Sequence, residues 1–275
     1  MEIGALSHAG KVRTNNEDQF LVARFGRSME VLTTSVPPGL FPLRSTAEGW
    51  ALLVADGMGG ATAGEVASST AVGAIVDLAL ETPDWILLVD EEGARDVVRR
   101  MNLRFLGVKK VLEERVRANP DLAGMGTTMT VAVTVGRDAV IAHVGDSRAY
   151  LFRGGVLHQL TRDDTFTQAL LDSGDIGPEE AKRHPFRHML TDVIGTNHGK
   201  FDPEFRHLRL ETGDQLLLCT DGLTEMVPDD AIAEALRRPG PVQDACRDLV
   251  DRALAAGGRD NVTVVLGRLG TLPPS

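Results

Sequence analysis

Cysteine is scarce in this chain: two in 275 residues, Cys219 and Cys246, each inside an apolar or helical stretch and without CxxC spacing. That excludes a disulfide framework and a cysteine zinc site, and it fits a reducing compartment. Basic residues are also in deficit, with 29 Lys and Arg against 39 Asp and Glu, a net charge of −10. Proteins that grip a nucleic-acid backbone carry the opposite balance, so no nucleic-acid partner is expected. The excess acid either serves solubility or includes a cluster of metal-binding carboxylates. The start, "MEIGALSHAGKVR", lacks the basic and apolar regions of a signal peptide. No run reads as a membrane-spanning helix, so a cytoplasmic, membrane-free protein is expected. Internal repeats and long linkers are absent as well. One domain over residues 1–275 is expected, and 43% hydrophobic content suffices for a sizeable core.

What is present are short Val-, Ile- and Leu-rich runs bounded by Gly, Asp or Asn: "QFLVARF", "WALLVAD", "TTMTVAVTV", "DAVIAHVGD", "RAYLFRGG", "QLLLCTDG" and "NVTVVLGRL". These read as strands. From Thr130 to Leu160 they follow one another with turns of a few residues, which predicts a meander of antiparallel hairpins. Helices are predicted in "AGEVASSTAVGAIVDLAL", in the segment after Glu91 with Val97, Met101, Phe105, Val108 and Leu112 at helical steps, and around Val242 to Ala253. The stretch from Ser28 to Gly49 carries Pro-Pro and reads as a surface loop. "DSGDIGPEEAKRHPFRH" reads as a mobile segment with one short helix from Pro178. Segregated helices and antiparallel strands indicate an α+β layered domain.

One pattern recurs along the strands. Asp56 follows "WALLVA", Asp146 follows "AVIAHVG" and Asp221 follows "QLLLCT"; Asp260 precedes "NVTVVLG", and Glu17-Asp18 precede "QFLVA". A single Asp at a strand end is an ordinary turn residue. Five such places in one chain imply carboxylates converging on one edge of the sheets, where a hard divalent cation relieves their repulsion. Oxygen donors without a His or Cys cluster select Mg²⁺ or Mn²⁺, and shared carboxylates point to two ions that clamp a phosphoryl group. Arg13, four positions before Glu17, has the guanidinium fork that takes phosphate oxygens.

With these residues in place, the motifs "VRTNNEDQF", "ADGMGG", "GMGTTMTVAV", "HVGDSRAYLFR", "LTRDDTF", "LLLCTDGLTEMV" and "GGRDNVTVV" resemble, in order, those of the metal-dependent serine/threonine phosphatases of the PPM, or PP2C, type. The resemblance runs from about residue 5 to 268 and is nearest the compact bacterial branch. It implies a four-layer α-β-β-α sandwich of two antiparallel sheets flanked by helices. It also implies hydrolysis of protein phosphoserine and phosphothreonine by a hydroxide bridging two Mn²⁺ or Mg²⁺ ions. By resemblance Asp56 bridges the ions, the Gly57 carbonyl, Asp221 and Asp260 complete the direct ligands, and Glu17 and Asp18 orient bound waters. Asp146, with Asp221, matches a weaker third metal position, Asn261 bonds phosphate or water, and Arg13 holds the substrate phosphate. Catalysis therefore falls to Arg13, Asp56 and Asp221. The implied partners are phosphorylated proteins, including a bacterial Ser/Thr kinase and its substrates, with the enzyme a monomer.

Two departures from the family stand out. Met58 occupies the place where many eukaryotic relatives carry a histidine that donates a proton, and a thioether cannot. Either a metal-bound water donates instead or a histidine from elsewhere does; His184 is the one candidate, and a structural "HP" turn is the favoured reading of it. The segment from Asp163 to Gly195 corresponds to the family's flap beside the active site, and "DDT" replaces the common "DHS" at Asp164. A haloacid-dehalogenase-type mechanism needs a second acid two residues after the nucleophilic Asp, which "ADGMGG" lacks. The remaining alternative is a phosphatase-like regulatory or binding module of weak catalysis, which loss of a metal carboxylate would favour; all of them are present.

Overall fold

The computed structural model describes residues 1–33, 44–59, 63–81, 91–195 and 201–271. The chain begins with strands β1 (Glu2–His8), β2 (Asp18–Glu30) and β3 (Arg44–Met58), then helices α1 (Ala63–Glu81) and α2 (Glu91–Ala118). A run of strands follows: β4 (Gly126–Thr127), β5 (Met129–Val135), β6 (Asp138–Val144), β7 (Arg148–Arg153) and β8 (Val156–Gln159). The rest comprises α3 (Phe166–Ser173), α4 (Pro178–Ala181), β9 (Ile194–Gly195), β10 (Glu204–Arg209) and β11 (Gln215–Cys219). After these come α5 (Asp221–Thr224), α6 (Asp229–Arg237), α7 (Val242–Ala255) and β12 (Val262–Arg268).

The strands form two antiparallel sheets. One is ordered β1-β12-β11-β7-β8; the other runs β10-β6-β5-β3-β4-β9, with β2 paired to β3. Three apolar layers hold the sandwich. Leu52, Val54, Ala132 and Ile141 meet Leu216, Leu218 and Val265 between the sheets. The alternate residues Leu53, Ala55 and Val131 pack outward on Ala67, Ala71 and Phe105 of α1 and α2. Leu217, Cys219 and Val264 pack outward on Leu236, Cys246 and Leu249 of α6 and α7. Central strands are thus buried on both faces, which is why they read as continuous apolar runs rather than alternating ones. Each fully buried Leu or Val contributes about 1.5–3 kcal/mol.

Three expectations need correction. The predicted meander is two hairpins in different sheets: β5–β6 belong to one, β7–β8 to the other, and Gly145–Ser147 crosses between them. A short turn between two strands sets their antiparallel sense but not whether they share a sheet. The stretch after Arg27 is not all loop. The β2–β3 ribbon pairs as far as Glu30 with Arg44, and residues 34–43, with the Pro-Pro, lie outside the described residues. The short helix expected from Pro178 is present as α4, and ahead of that segment lies α3, capped by the Thr165 hydroxyl accepting from the Gln168 N–H and closed by left-handed Gly174. Finally, α1 is long and apolar enough to cross a membrane by length and composition. Ala63, Ala67, Ala71, Ala74 and Ile75 give it a buried face on the sheet, and that packing explains the apolar content.

Candidate active site

The acids gather where the two sheets meet. Asp18 of β2 and Asp56 of β3 are cross-strand partners in register, an arrangement that like charges destabilise. Asp56 is therefore inside the ladder, two residues before the end of β3, rather than at its tip. Its backbone is fixed by Thr128: the Asp56 N–H donates to the Thr128 hydroxyl at 3.0 Å, and the Thr128 N–H donates back to the Asp56 carbonyl at 2.9 Å. Asp18 is 3% exposed. Its Oδ2 accepts from the hydroxyls of Thr220 at 2.8 Å and Thr263 at 2.7 Å. Both threonines belong to the other sheet's edge, so this carboxylate stitches the sandwich together.

Asp221 opens α5, directly after β11, and Asp260 precedes β12, its neighbour in the sheet. The Asp260 Oδ2 accepts from Arg13 Nη2 at 2.7 Å, and its Oδ1 accepts from the Asn261 N–H at 2.8 Å. Asp146 rides the crossing between β6 and β7. Behind it Asp163 takes a two-pronged bond from Arg148, at 2.8 and 2.6 Å.

The electrostatics report one cluster. Burial pushes the Asp56 carboxyl well above the usual range, and the charges of Asp18, Asp221, Asp146 and Asp260 add to it. Asp221 rises for the same reasons, burial first and then Asp146, Asp260, Asp18 and Glu225. Burial lifts Asp18 to about 7 against the opposing Thr263 and Thr220 hydroxyls. Asp146 rises to about 7 through burial and then Asp163. Glu17 is raised by burial and held back by Arg13.

The fit of a cation follows from the donors. The Oδ1 atoms of Asp18 and Asp221 are buried without a hydrogen-bond partner, an expensive state for an ionised oxygen unless a cation meets it. Among the described residues no three His, Cys, Asp or Glu side chains form a ready-made cage. A magnesium-type ion needs none: it keeps several waters and takes one or two carboxylates. Near it the Gly57 backbone is pressed onto α1, where a Cβ on Gly57 would collide with the Gly64 carbonyl. A Cβ on Gly64 would in turn sit 2.8 Å from the Gly57 carbonyl oxygen and 2.7 Å from the Glu17 carboxyl carbon. Two glycines thus let a carbonyl and a carboxylate crowd the same spot.

One sequence assignment changes, that of Asn261, while the structural reading of His184 stands. Asn261 is 5% exposed and its amide is spent on the chain. Nδ2 donates to the carbonyls of Ala9 at 3.0 Å and Asn15 at 2.8 Å, and Oδ1 accepts from the Glu17 N–H at 2.8 Å. It clamps the loop carrying Arg13 and Glu17, and no N–H remains for phosphate. His184 packs with Phe166 and Phe186, its Nδ1 accepting the Phe186 N–H at 3.2 Å; its ring serves the flap's own turn. Met58 pairs with Gly126 at the end of β3. Thr128, Thr220, Thr263 and Ser68, whose hydroxyl donates to the Glu17 carbonyl at 2.6 Å, went unnoticed in the sequence. Polar residues beside apolar runs at Thr220 and Thr263 were their only signal. An apolar cavity of about 260 Å³ between α1, α2 and the larger sheet is lined by Leu53, Ile75 and Met101, and none of the candidate residues lines it.

Comparison with known proteins identifies the family. The family model for protein phosphatase 2C matches residues 41–261. The protein phosphatase PhpP of Streptococcus pneumoniae is 35% identical over 268 residues, 97% of this chain and 96% of that protein. The serine/threonine protein phosphatase PstP of Mycobacterium tuberculosis is 41% identical over 215 residues; the match takes in 78% of this chain and only 39% of that relative's length. A crystal structure of the same organism's PstP/Ppp superposes with a TM-score of 0.79 and 36% identity over 98% of this chain and 99% of that one. The PstP catalytic domain in complex with two manganese ions superposes at 0.76 with 34% identity, covering 98% of each chain. The chain belongs to the protein phosphatase 2C family.

Proposed function

We propose that the protein is a Mn²⁺- or Mg²⁺-dependent protein serine/threonine phosphatase that hydrolyses the phosphomonoester directly, without a phosphorylated enzyme. The observation that carries this is the facing pair Asp18 and Asp56, ringed by Asp146, Asp221 and Asp260, with two buried carboxylate oxygens lacking a partner. Asp56, the Gly57 carbonyl, Asp221 and Asp260 would hold two ions, Glu17 and Asp18 would orient waters around them, and Asp146 with Asp221 would offer a third position. Such ions, when bound, supply an ionised water for in-line attack and offset charge on the phosphoryl oxygens. Arg13 binds the substrate phosphate. Its side chain is 55% exposed, and the bond to Asp260 engages one nitrogen of a five-donor fork. With Met58 at the end of β3, a water rather than a side chain there protonates the leaving oxygen.

The relatives' names support the substrate class, proteins phosphorylated by a Ser/Thr kinase, and the two-manganese PstP complex supports the metal. We further infer a cytoplasmic monomer, in keeping with two buried free thiols. The test is hydrolysis of p-nitrophenyl phosphate and a phosphothreonine peptide with Mn²⁺, Mg²⁺ or EDTA. Turnover with metal and none with EDTA is expected. A folded protein inert with every metal at millimolar concentration refutes the reading.

A further inference from the structure

His143 sits in β6, 1% exposed, in a strand whose neighbours are apolar. A buried imidazole needs partners on both nitrogens. Nε2 lies 3.1 Å from the carbonyl oxygen of Arg162. A carbonyl only accepts, so Nε2 carries the hydrogen. Nδ1 is then the acceptor and takes the Thr130 hydroxyl at 2.8 Å. The same hydroxyl lies 3.1 Å from the carbonyl of Ser147, so its single hydrogen is shared between Nδ1, the nearer acceptor, and that carbonyl. Burial pushes the ring's pKa down, in the direction that one donor and one acceptor nitrogen require.

These contacts join three segments, alongside the Arg148–Asp163 pair that ties the crossing to the flap. Thr130 is on the floor of the larger sheet, Ser147 adjoins Asp146 on the crossing between sheets, and Arg162 immediately precedes the flap. Just beyond, the Asp164 N–H donates to the Gly145 carbonyl at 2.7 Å, and the Gly145 N–H returns a bond to Asp164 Oδ2 at 2.9 Å. On the other side the Ser147 hydroxyl meets that of Thr128 at 2.8 Å, which accepts the Asp56 N–H. A buried set of polar contacts, passing through the shared Thr130 hydroxyl, therefore runs from Asp56 to the root of the flap. The flap's far end returns to the site, where Arg187 and His188 lie 3.6 and 3.7 Å from Glu225, just past α5.

We propose that His143 is a positioning residue that pins the flap root, Arg162 to Asp164, to the floor beneath Asp56 and Asp146, and so sets how the flap presents itself to a phosphorylated protein. Its kinetic consequence rests on the phosphatase reading; its mechanical consequence does not. His143→Leu keeps similar bulk and removes both polar atoms, whereas the amide of His143→Gln can still donate to Arg162.

The experiment is hydrogen exchange by mass spectrometry on the Mn²⁺-loaded variants, with steady-state kinetics alongside. In His143→Leu, peptides covering residues 160–175 should exchange about three- to tenfold faster, the loss of one buried hydrogen bond. Peptides from β11 and β12 should be unchanged, and His143→Gln should recover most of the protection. KM for a phosphothreonine peptide should rise about three- to tenfold in the Leu variant, with kcat on p-nitrophenyl phosphate held within about twofold. Thr130→Val, which removes the hydroxyl at Nδ1 while keeping its shape, should loosen the same peptides and serves if the Leu variant does not fold. Unchanged exchange at 160–175 in folded variants overturns the proposal, and so does equal loosening by Leu and Gln, which would mean packing alone. A wild type without metal-dependent turnover sinks the phosphatase reading, while the exchange result still decides the pin.

Discussion

Asp18→Asn should make the metal-free protein more stable. Asp18 faces Asp56 across the ladder, and burial lifts its carboxyl from 3.8 to about 7. A carboxyl that holds its proton more tightly when folded contributes stability that is full below pH 4 and lost as pH rises through about 7. Over that span the loss amounts to about 4 kcal/mol, at 1.36 kcal/mol for each of roughly three pH units. Asn keeps an oxygen for the Thr220 and Thr263 hydroxyls and places its NH₂ where Oδ1 has no partner. Asp56 retains its repulsion from Asp221 and Asp146, so the recovered part at pH 8 is about 2–3 kcal/mol, or roughly 5–10 °C in Tm. The assay is thermal unfolding in EDTA at pH 4 and pH 8, repeated at pH 8 with excess Mn²⁺. The variant should match the parent at pH 4, exceed it at pH 8, and lose that advantage once metal is added. A variant no more stable than the parent at pH 8, or equally more stable at both pH values, refutes the repulsion argument.

Asp221→Asn should cut metal-dependent turnover more than about 100-fold, beyond the loss typical of a residue that only supports a ligand, with the far-ultraviolet circular dichroism unchanged; retained turnover would show that Asp221 holds no metal. Arg13→Ala should raise KM for a phosphopeptide about tenfold or more, the worth of a charge-assisted bond, with less effect on the Mn²⁺ activation curve, and an unaltered KM would exclude the phosphate role. Gly222→Ala should destabilise by about 3 kcal/mol or more, because an added Cβ would collide with the Asn261 carbonyl; an unchanged urea midpoint would mean that α5 can move away from Asn261 just ahead of β12.

Much of this was legible in the sequence for physical reasons, and the misses have reasons too. The double-sided burial of β3, β5, β6, β11 and β12 produces unbroken apolar runs, so these strands stood out. Carboxylates at the ends of such runs marked the site because nothing in a core explains them. Thr165 and Gln168 carried a helix-start signal for α3, but the Gly and Pro residues downstream drew the eye instead. The sheet switch between β6 and β7 was invisible, since turn length is the same for a hairpin and a crossing. Asn261 lies beside Asp260, but its side-chain N–H groups go to Ala9 and Asn15 rather than to a phosphate: a buried amide is as useful for clamping a loop as for meeting a phosphate, and only the bonds to Ala9, Asn15 and Glu17 distinguish the two. His143 left no trace, because an isolated histidine in a strand looks like any core polar residue.

The position of the cluster relative to the two sheets bears on stability as well as on chemistry. Asp18 and Asp56 belong to the larger sheet, Asp221 and Asp260 flank β11 and β12 of the smaller one, and Asp146 lies on the chain that passes between them. The apolar layer between the sheets draws them together, while the carboxylates at this edge push them apart. Direct hydroxyl bonds from Thr220 and Thr263 to Asp18 offset only part of that push, since Asp18 and Asp221 each keep one unpartnered oxygen. Any ion held between Asp56 and Asp221 would therefore bond one sheet to the other and remove the repulsion in the same step. Its stabilisation would grow with the logarithm of metal concentration above the dissociation constant. Hydrogen exchange should then slow together at the ends of β3, β11 and β12 on metal addition. Protection confined to one sheet would place the ion on a single edge and contradict an inter-sheet site.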